Sequence, residues 1–101
     1  MLIYNITSKV AWPVQELWVE WMLNEHKMEV LATGLVNNYQ LVRIQDVEDI
    51  DGPTFAVQYY MEGRPQYELY IQNFAPGLRQ KVIDRWGDQV ISFRTLMEVI
   101  N

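Results

Sequence analysis

The sequence predicts an α+β fold of the ferredoxin-like type, a four-stranded antiparallel sheet with helices on one face. The first observation is the order of hydrophobic patterns along the chain, which is strand, helix, strand, strand, helix, strand. The second is composition, because half of the residues are apolar and 13% are aromatic, with only 5 glycines and 4 prolines. The third is the length of 101 residues, which suits one ferredoxin-like domain over residues 1–101.

The spacing of apolar residues predicts the first strand and the first helix, with a different period for each. Apolar and polar residues alternate over Leu2–Val10, which is the period of a strand. Pro13 suits the first position of a helix, because that position needs no backbone N–H donor. At about 100° per residue, a helix over Pro13–Thr33 is amphipathic, with Glu25 near the middle of its apolar side and His26 at the edge of that side. The apolar side comprises Val14, Leu17, Trp18, Trp21, Met28 and Ala32.

The middle of the chain predicts a hairpin. Its strands cover about Leu35–Val47 and Thr54–Met61, and the acidic segment between them contains the turn-forming pair Asp51-Gly52. The carboxylates of this segment do not have the spacing of an EF-hand calcium loop. We therefore expect a solvated loop and no metal site.

The second half of the chain predicts a broken helix and a final strand. Arg64-Pro65 begins the helix, and Pro76 interrupts it, because proline removes a backbone donor and disfavours helical geometry at Ala75. Two helices are therefore expected, the second of which ends near Trp86. The last strand covers Gln89–Ile100.

The last strand carries apolar residues on both of its faces. Ile91, Phe93 and Met97 alternate with Val90 and Leu96. Helices cover only one face of a ferredoxin-like sheet, and a monomer seldom exposes a large apolar area on the other. We therefore expect a homodimer in which the helix-free faces of the two sheets meet.

Composition argues against several classes of function. The net charge of −5, with 8 basic residues in scattered positions, argues against nucleic acid and anionic membrane surfaces as partners. Without cysteine there is no disulfide, thiolate nucleophile or Cys-based metal site. Neither a membrane-spanning apolar run nor a signal peptide is recognisable, so we expect a cytoplasmic protein. No Gly-rich phosphate loop, HExxH or GxSxG motif is present, and no cofactor is predicted.

Several short segments resemble a bacterial family of about 100 residues that is classed as a domain of unknown function. They span nearly the whole chain and comprise Ile3-Tyr4-Asn5, Trp18–Met22 with Glu25-His26, Val30–Gly34, Val57-Gln58-Tyr59, Ala75-Pro76 with Leu78-Arg79-Gln80, and Phe93–Leu96. The resemblance implies a ferredoxin-like subunit of a dimeric α+β barrel. That superfamily includes cofactor-independent antibiotic-biosynthesis monooxygenases, haem-degrading monooxygenases, muconolactone isomerase-like enzymes and stress-response proteins, commonly with a pocket between helices and sheet.

The resemblance to the haem-degrading members covers one residue. They have an asparagine on the first strand, as this chain has Asn5, and they also use a tryptophan and a histidine. Their histidine belongs to the second helical region, whereas the only histidine of this chain, His26, is on the first. No residue role beyond Asn5 is carried over.

Two adjacent polar residues on the first helix are the candidate catalytic residues. Glu25 is predicted to lie among apolar side chains, where a carboxylate is costly unless paired and where its pKa rises toward the general acid or base range. Alternatively, Glu25 forms a structural ion pair with Arg79 or Arg94. His26 is the only side chain with an ordinary pKa near neutrality, so it is the candidate for proton transfer, or else it packs or caps the helix.

Aromatic and polar residues complete the candidate ligand site. The aromatic side chains could line a flat hydrophobic pocket or form an ordinary core, which their helical spacing favours. The candidate ligand-binding residues are Asn5, Trp18, Trp21, Met22, Tyr59, Phe74, Arg79 and Arg94. Two functions follow: a protein that binds a small hydrophobic or aromatic ligand, such as a cofactor-independent monooxygenase or isomerase-like enzyme, and a non-enzymatic homodimeric structural or stress-response module.

Overall fold

Four strands form one antiparallel sheet in the order β2-β3-β1-β4, which confirms the ferredoxin-like topology. The computed structural model describes residues 1–101. The strands are β1 (Leu2–Val10), β2 (Asn38–Arg43), β3 (Thr54–Met61) and β4 (Val90–Glu98). The sequence predicts β1 and β3 to the residue, whereas β2 and β4 are shorter than expected.

The helices form two segments, one after β1 and one after β3. In the first, a short 3₁₀ turn at Trp12–Val14 leads into α1 (Gln15–Trp21), a π-helical turn (Met22–His26) and α2 (Lys27–Leu31). In the second, α3 (Arg64–Asn73) and α4 (Ala75–Trp86) are separated at Phe74, as the proline at position 76 predicts. No helix is long and apolar enough to cross a membrane.

The connection between β2 and β3 packs against the end of β1. The backbone N–H of Val10 donates to the carbonyl of Pro53 at 3.0 Å, and that of Trp12 donates to the carbonyl of Asp51 at 3.3 Å. Gly52 lies between these contacts, and a Cβ at this position would lie 1.8 Å from the Val10 carbonyl oxygen. Glycine is therefore needed here for close backbone approach, in addition to the turn.

The core lies between the sheet and the helices and is unusually rich in aromatic rings. Tyr4 of β1 packs against Tyr59 of β3 and Tyr70 of α3, with ring centroids 5.7 and 5.9 Å apart. On the first helical segment, Trp18 and Val30 are almost completely buried against the sheet. Helices therefore cover the sheet face that carries the even-numbered residues of β1.

The opposite face of the sheet is free of helices and has two regions. Its centre is polar, where Asn5 donates from Nδ2 to the hydroxyl of Thr7 at 3.0 Å and accepts from Nε2 of Gln58 at 3.3 Å. Its β4 edge is apolar, where Ile91 and Phe93 are 70% and 63% exposed. The apolar exposure predicted for this face is therefore concentrated at one edge.

Candidate functional site

The first helical segment changes its register at the π-helical turn Met22–His26. The backbone N–H of Lys27 donates to the carbonyl of Met22, five residues earlier. An α-helical bond spans four residues, so this turn contains one residue more than an α turn. The additional residue rotates the rest of the segment relative to the sheet.

Because of this rotation, His26 and Glu25 occupy positions on the helix that differ from the predicted ones. His26 is only 4% exposed and faces the sheet, whereas Glu25 lies on the solvent side. The prediction that Glu25 occupies the middle of the apolar side is therefore wrong, because it assumed one uniform α-helical period. For the same reason Met28 is 64% exposed while Val30 is fully buried.

Other parts of the predicted apolar side also differ from the structure. Ala32, beyond the π-helical turn, is exposed for the same reason as Met28. Leu17, which precedes that turn and lies at the edge of the buried side, is 59% exposed. Glu25 also makes no ion pair with Arg79 or Arg94, because the ion pairs of the structure are Lys9–Glu48 and Lys81–Glu29. The structural ion pair expected for Glu25 is therefore absent.

Two tyrosines hold the imidazole of His26. The hydroxyl of Tyr39 donates to the Met22 carbonyl at 2.9 Å and lies 3.0 Å from Nδ1 of His26. Since that hydroxyl has already given its proton to the carbonyl, it accepts from Nδ1–H, and this assigns the tautomer. Nε2 of His26 is then an acceptor, and the hydroxyl of Tyr59 lies 3.4 Å from it. The π-helical turn and the histidine are thus connected through one tyrosine.

Burial keeps this cluster uncharged. Desolvation lowers the pKa of His26 to about 4, and the carboxylate of Glu29 opposes this only partly. Burial likewise raises the pKa values of the phenols of Tyr39, Tyr59 and Tyr70 above their ordinary range. At neutral pH the imidazole is therefore a neutral base that is surrounded by protonated phenols.

A cavity of about 40 Å³ lies between the sheet, the first helical segment and α4. It has room for a few water-sized groups in its present shape. Most of its lining is apolar, and Trp18 forms part of the wall. The indole Nε1–H of Trp18 is buried and has no hydrogen-bond partner in the protein. Trp86, which does not line the cavity, carries a second buried indole N–H without a partner, so the unpaired N–H of Trp18 counts toward a ligand site only together with the cavity beside it.

Two arginines line the same cavity and are exposed to solvent. Nη2 of Arg79 on α4 donates to the hydroxyl of Tyr4 at 3.0 Å. Arg94 is on β4, opposite Ile6 of β1, and so on the face of the sheet that the helices cover. Neither guanidinium forms an ion pair with a carboxylate. Both therefore remain available to a ligand.

The structure brings six of the predicted site residues to this cavity. They are Trp18, Met22, His26, Tyr59, Arg79 and Arg94. Four others lie elsewhere: Asn5 is on the helix-free face, Glu25 is in solvent, Phe74 is 37% exposed at the α3–α4 break, and Trp21 packs against Trp86. Asn5 differs because side chains alternate along β1, so that its neighbour Tyr4 faces the helices instead.

Nothing in the local sequence marks Tyr39 as a residue of the site. It is one tyrosine in a short strand, and its alternation with Leu41 indicates only that it faces the core. Its contact with His26 depends on the pairing of β2 with β3, which brings Tyr39 opposite Tyr59. That pairing is a long-range property of the sheet.

Comparison with known proteins gives a family and a fold. The model of a domain of unknown function, DUF4286, matches residues 1–100. No protein among those with curated descriptions matches the chain.

Three solved structures illustrate the fold. An ethyl tert-butyl ether D (EthD) family protein from Bacillus halodurans has a TM-score of 0.72 at 10% identity, covering 99% of this chain and 100% of its own. A Deinococcus radiodurans protein named for the antibiotic biosynthesis monooxygenases has a TM-score of 0.65 at 15% identity, covering 100% and 94%. A dimeric ferredoxin-like protein from an uncultured marine organism has a TM-score of 0.63 at 12% identity, covering 99% and 95%. The likeness to these structures shows the ferredoxin-like fold that the sequence resemblance implies.

Proposed function

The chain belongs to the DUF4286 family of unknown function, and we propose that it binds a small, mainly apolar ligand between its helices and its sheet, with His26 as the polar anchor. The single observation behind this proposal is a buried neutral histidine at an apolar cavity that is also lined by Trp18, whose indole N–H has no partner. Nε2 of His26, whose contact with the Tyr59 hydroxyl is long at 3.4 Å, offers an acceptor, and the indole N–H of Trp18 is an unpaired donor. A ligand with a polar group on an apolar body would suit such a site.

Proton transfer is the reaction that these residues can support without a further group. Nε2 of His26 would take a proton from an acidic O–H or C–H bond of the ligand, and the ligand would keep the electron pair as an anion. The anion would in turn stabilise the imidazolium, whose Nδ1–H already has an acceptor in Tyr39. The Deinococcus radiodurans neighbour is named for a family of enzymes, which supports an enzymatic role in general. Glu25, in solvent, has no part in it.

The test is a binding screen with hydrophobic acids, quinones and haem, read by thermal shift and confirmed by calorimetry. We expect His26→Gln to weaken the hits of the parent protein about tenfold, which corresponds to the loss of about one hydrogen bond. Glu25→Gln is the matched control, because it changes the neighbouring residue on the solvent side and should leave every affinity unchanged. Equal affinities in the parent and His26→Gln would remove His26 from the site.

A second candidate function is a homodimeric module without a ligand. The small size of the cavity favours it, together with the two tyrosines that already hold His26. In this case no compound of the screen stabilises the protein, and His26→Gln changes only its stability. A homodimer through the helix-free face belongs to both proposals, and the exposure of Ile91 and Phe93 supports it.

A further inference from the structure

We propose that the ligand is a small organic acid whose carboxylate lies between Arg79 and Arg94 and whose apolar body extends into the cavity toward His26, which anchors a further polar group. This inference rests on the proposed ligand-binding function and specifies the class of ligand. It follows from the distribution of charge around the cavity, from the free guanidinium groups and from the shape of the site.

The cavity is a positive site on a negative protein. The chain contains 13 acidic and 8 basic residues. None of the acidic residues lines the cavity, and the only charged residues that do are Arg79 and Arg94. Burial lowers the pKa of His26 and raises the pKa values of Tyr59 and Tyr70, so these three lining groups are uncharged at neutral pH. An anion is therefore attracted to this site while the rest of the molecule repels it.

The two guanidiniums are placed to receive a planar anion. They come from different elements, α4 and β4, and each lacks a carboxylate partner within the chain. The hydrogen bond from Arg79 to the hydroxyl of Tyr4 orients one of them without neutralising its charge. Both line the same cavity as Tyr70, and both lower the pKa of that phenol against the larger opposing effect of burial. The flat fork of a guanidinium matches a carboxylate in two parallel hydrogen bonds.

A carboxylate fits these residues better than a phosphate. Phosphate sites usually add backbone N–H groups from a glycine-rich loop to the basic side chains. This chain has no such loop, and most of the residues that line the cavity are hydrophobic, while the hydroxyls of Ser8 and Ser92 are paired with each other at 2.7 Å. A carboxylate attached to a hydrocarbon group therefore suits a cavity that is mostly hydrophobic and has two guanidinium groups.

The size of the cavity limits the apolar part of the acid. About 40 Å³ is well below the roughly 150 Å³ of an engineered cavity that binds benzene, so in its present shape the cavity has room for a short aliphatic chain and not for a ring. A ring requires the middle of α4 to move outward. The fully buried residues of α4, Ala75 and Trp86, stand at its two ends, while Leu78 and Val82 over the cavity are only partly buried. The middle of α4 is therefore its least anchored part.

The experiment is calorimetry on the full chain at pH 7 and low salt with three acids, propionate, isobutyrate and phenylacetate, and with their primary amides. Each amide keeps the shape of its acid and removes the charge. We expect the acids to bind at least about tenfold more tightly than the amides. Arg79→Gln and Arg94→Gln should each weaken the acids about tenfold without affecting the amides. Arg43→Gln, at an exposed arginine on the opposite edge strand β2, is the matched control and should change neither.

Each other outcome contradicts the inference in its own way. Equal binding of acids and amides, unchanged in the arginine variants, removes the carboxylate but leaves ligand binding in the cavity intact. If a phosphate monoester such as phenyl phosphate binds more tightly than the acids, the site recognises a different anion and the carboxylate proposal is wrong. Binding of none of these acids overturns the inference, while the dependence of the screening hits on His26 still decides the proposed function separately. We expect both arginine variants to remain folded, because both side chains are exposed, and melting curves test this.

Discussion

His26 holds a neutral imidazole in a place where a charge would be costly. Both ring nitrogens have a hydroxyl partner, so the neutral form avoids the penalty of an unpaired buried polar group. Protonation would add a charge among buried, mostly apolar side chains and would remove the acceptor that faces Tyr59. The side chain is thus stable in one protonation state over most of the physiological range.

The burial of His26 should therefore make the stability of the protein depend on pH. In the unfolded chain His26 binds a proton below about pH 6.5, while in the folded chain it does so only below about pH 4. The unfolded state consequently gains protons first as the pH falls, so the contribution is complete above pH 6.5 and is lost between pH 6.5 and 4. We expect a loss of about 3 kcal/mol in the free energy of unfolding over this interval. Urea unfolding at a series of pH values measures it.

Two variants distinguish the effect of His26 on the pH dependence of stability from the effect of carboxylates that titrate in a similar pH range. His26→Gln should remove this part of the pH dependence, whereas Glu25→Gln should retain it. Since the chain has a single histidine, its imidazole NMR signals are unambiguous, and they should not move between pH 7.5 and 5.5. A titration midpoint near 6.5 in the folded protein would contradict the burial of this ring.

At the scale of residues, the sequence predicts part of the site and misses the rest for identifiable reasons. Trp18, Met22 and His26 belong to a helix whose apolar side is clear from spacing. Glu25 was assigned to that side because nothing in the local pattern marks a π-helical turn. Tyr39 looks like any core residue of a strand, since its role depends on strand pairing.

At the scale of elements, local signals were sufficient for most boundaries. The strands β1 and β3 lie where period-two alternation places them, and the break before α4 lies where proline predicts it. The strand β2 is shorter than its apolar pattern because it pairs only with β3, from Asn38 opposite Tyr60 to Arg43 opposite Phe55. The length of an edge strand is set by its partner, which a local pattern does not contain.

The contact between the β2–β3 connection and β1 depends on the absence of a side chain at Gly52. Gly52→Ala should lower the free energy of unfolding by about 3 kcal/mol or more, because its Cβ would overlap the backbone of Val10. Gly77→Ala is the matched control, since Gly77 is in α4 with open space around it, and alanine there should stabilise the helix by up to about 1 kcal/mol. Urea unfolding of both variants tests the pair, and similar small effects would show that the connection can move away from β1.

At the scale of the whole molecule, the two faces of the sheet differ in what covers them. One face carries the helices and the cavity, and the other has only its own side chains. The polar centre of the helix-free face, around Asn5 and Gln58, is internally hydrogen-bonded, while its β4 edge exposes apolar side chains. A second copy of the chain could cover that edge and leave the cavity of each subunit unchanged.

Substitution at the apolar edge should separate the proposed dimer. Phe93→Glu introduces a charge where two sheets would meet, so we expect a dimer to become a monomer in light scattering coupled to size exclusion. Ile83→Glu is the control, because Ile83 is similarly exposed, at 58% against 63% for Phe93, but lies on α4. A dimer that survives Phe93→Glu and dissociates with Ile83→Glu would place the interface on the helices instead.

The additional residue in the turn Met22–His26 also determines how this chain must be aligned with its relatives. In a homologue whose first helix is uninterrupted, the residue that takes the place of His26 in space stands three positions after the equivalent of Met22. An ungapped alignment pairs that residue with Glu25. From there to the end of α2, it also pairs positions that face the sheet in one protein with positions that face solvent in the other. A single gap between positions 22 and 26 restores the correspondence, so a histidine displaced by one position in such a homologue counts as the same residue.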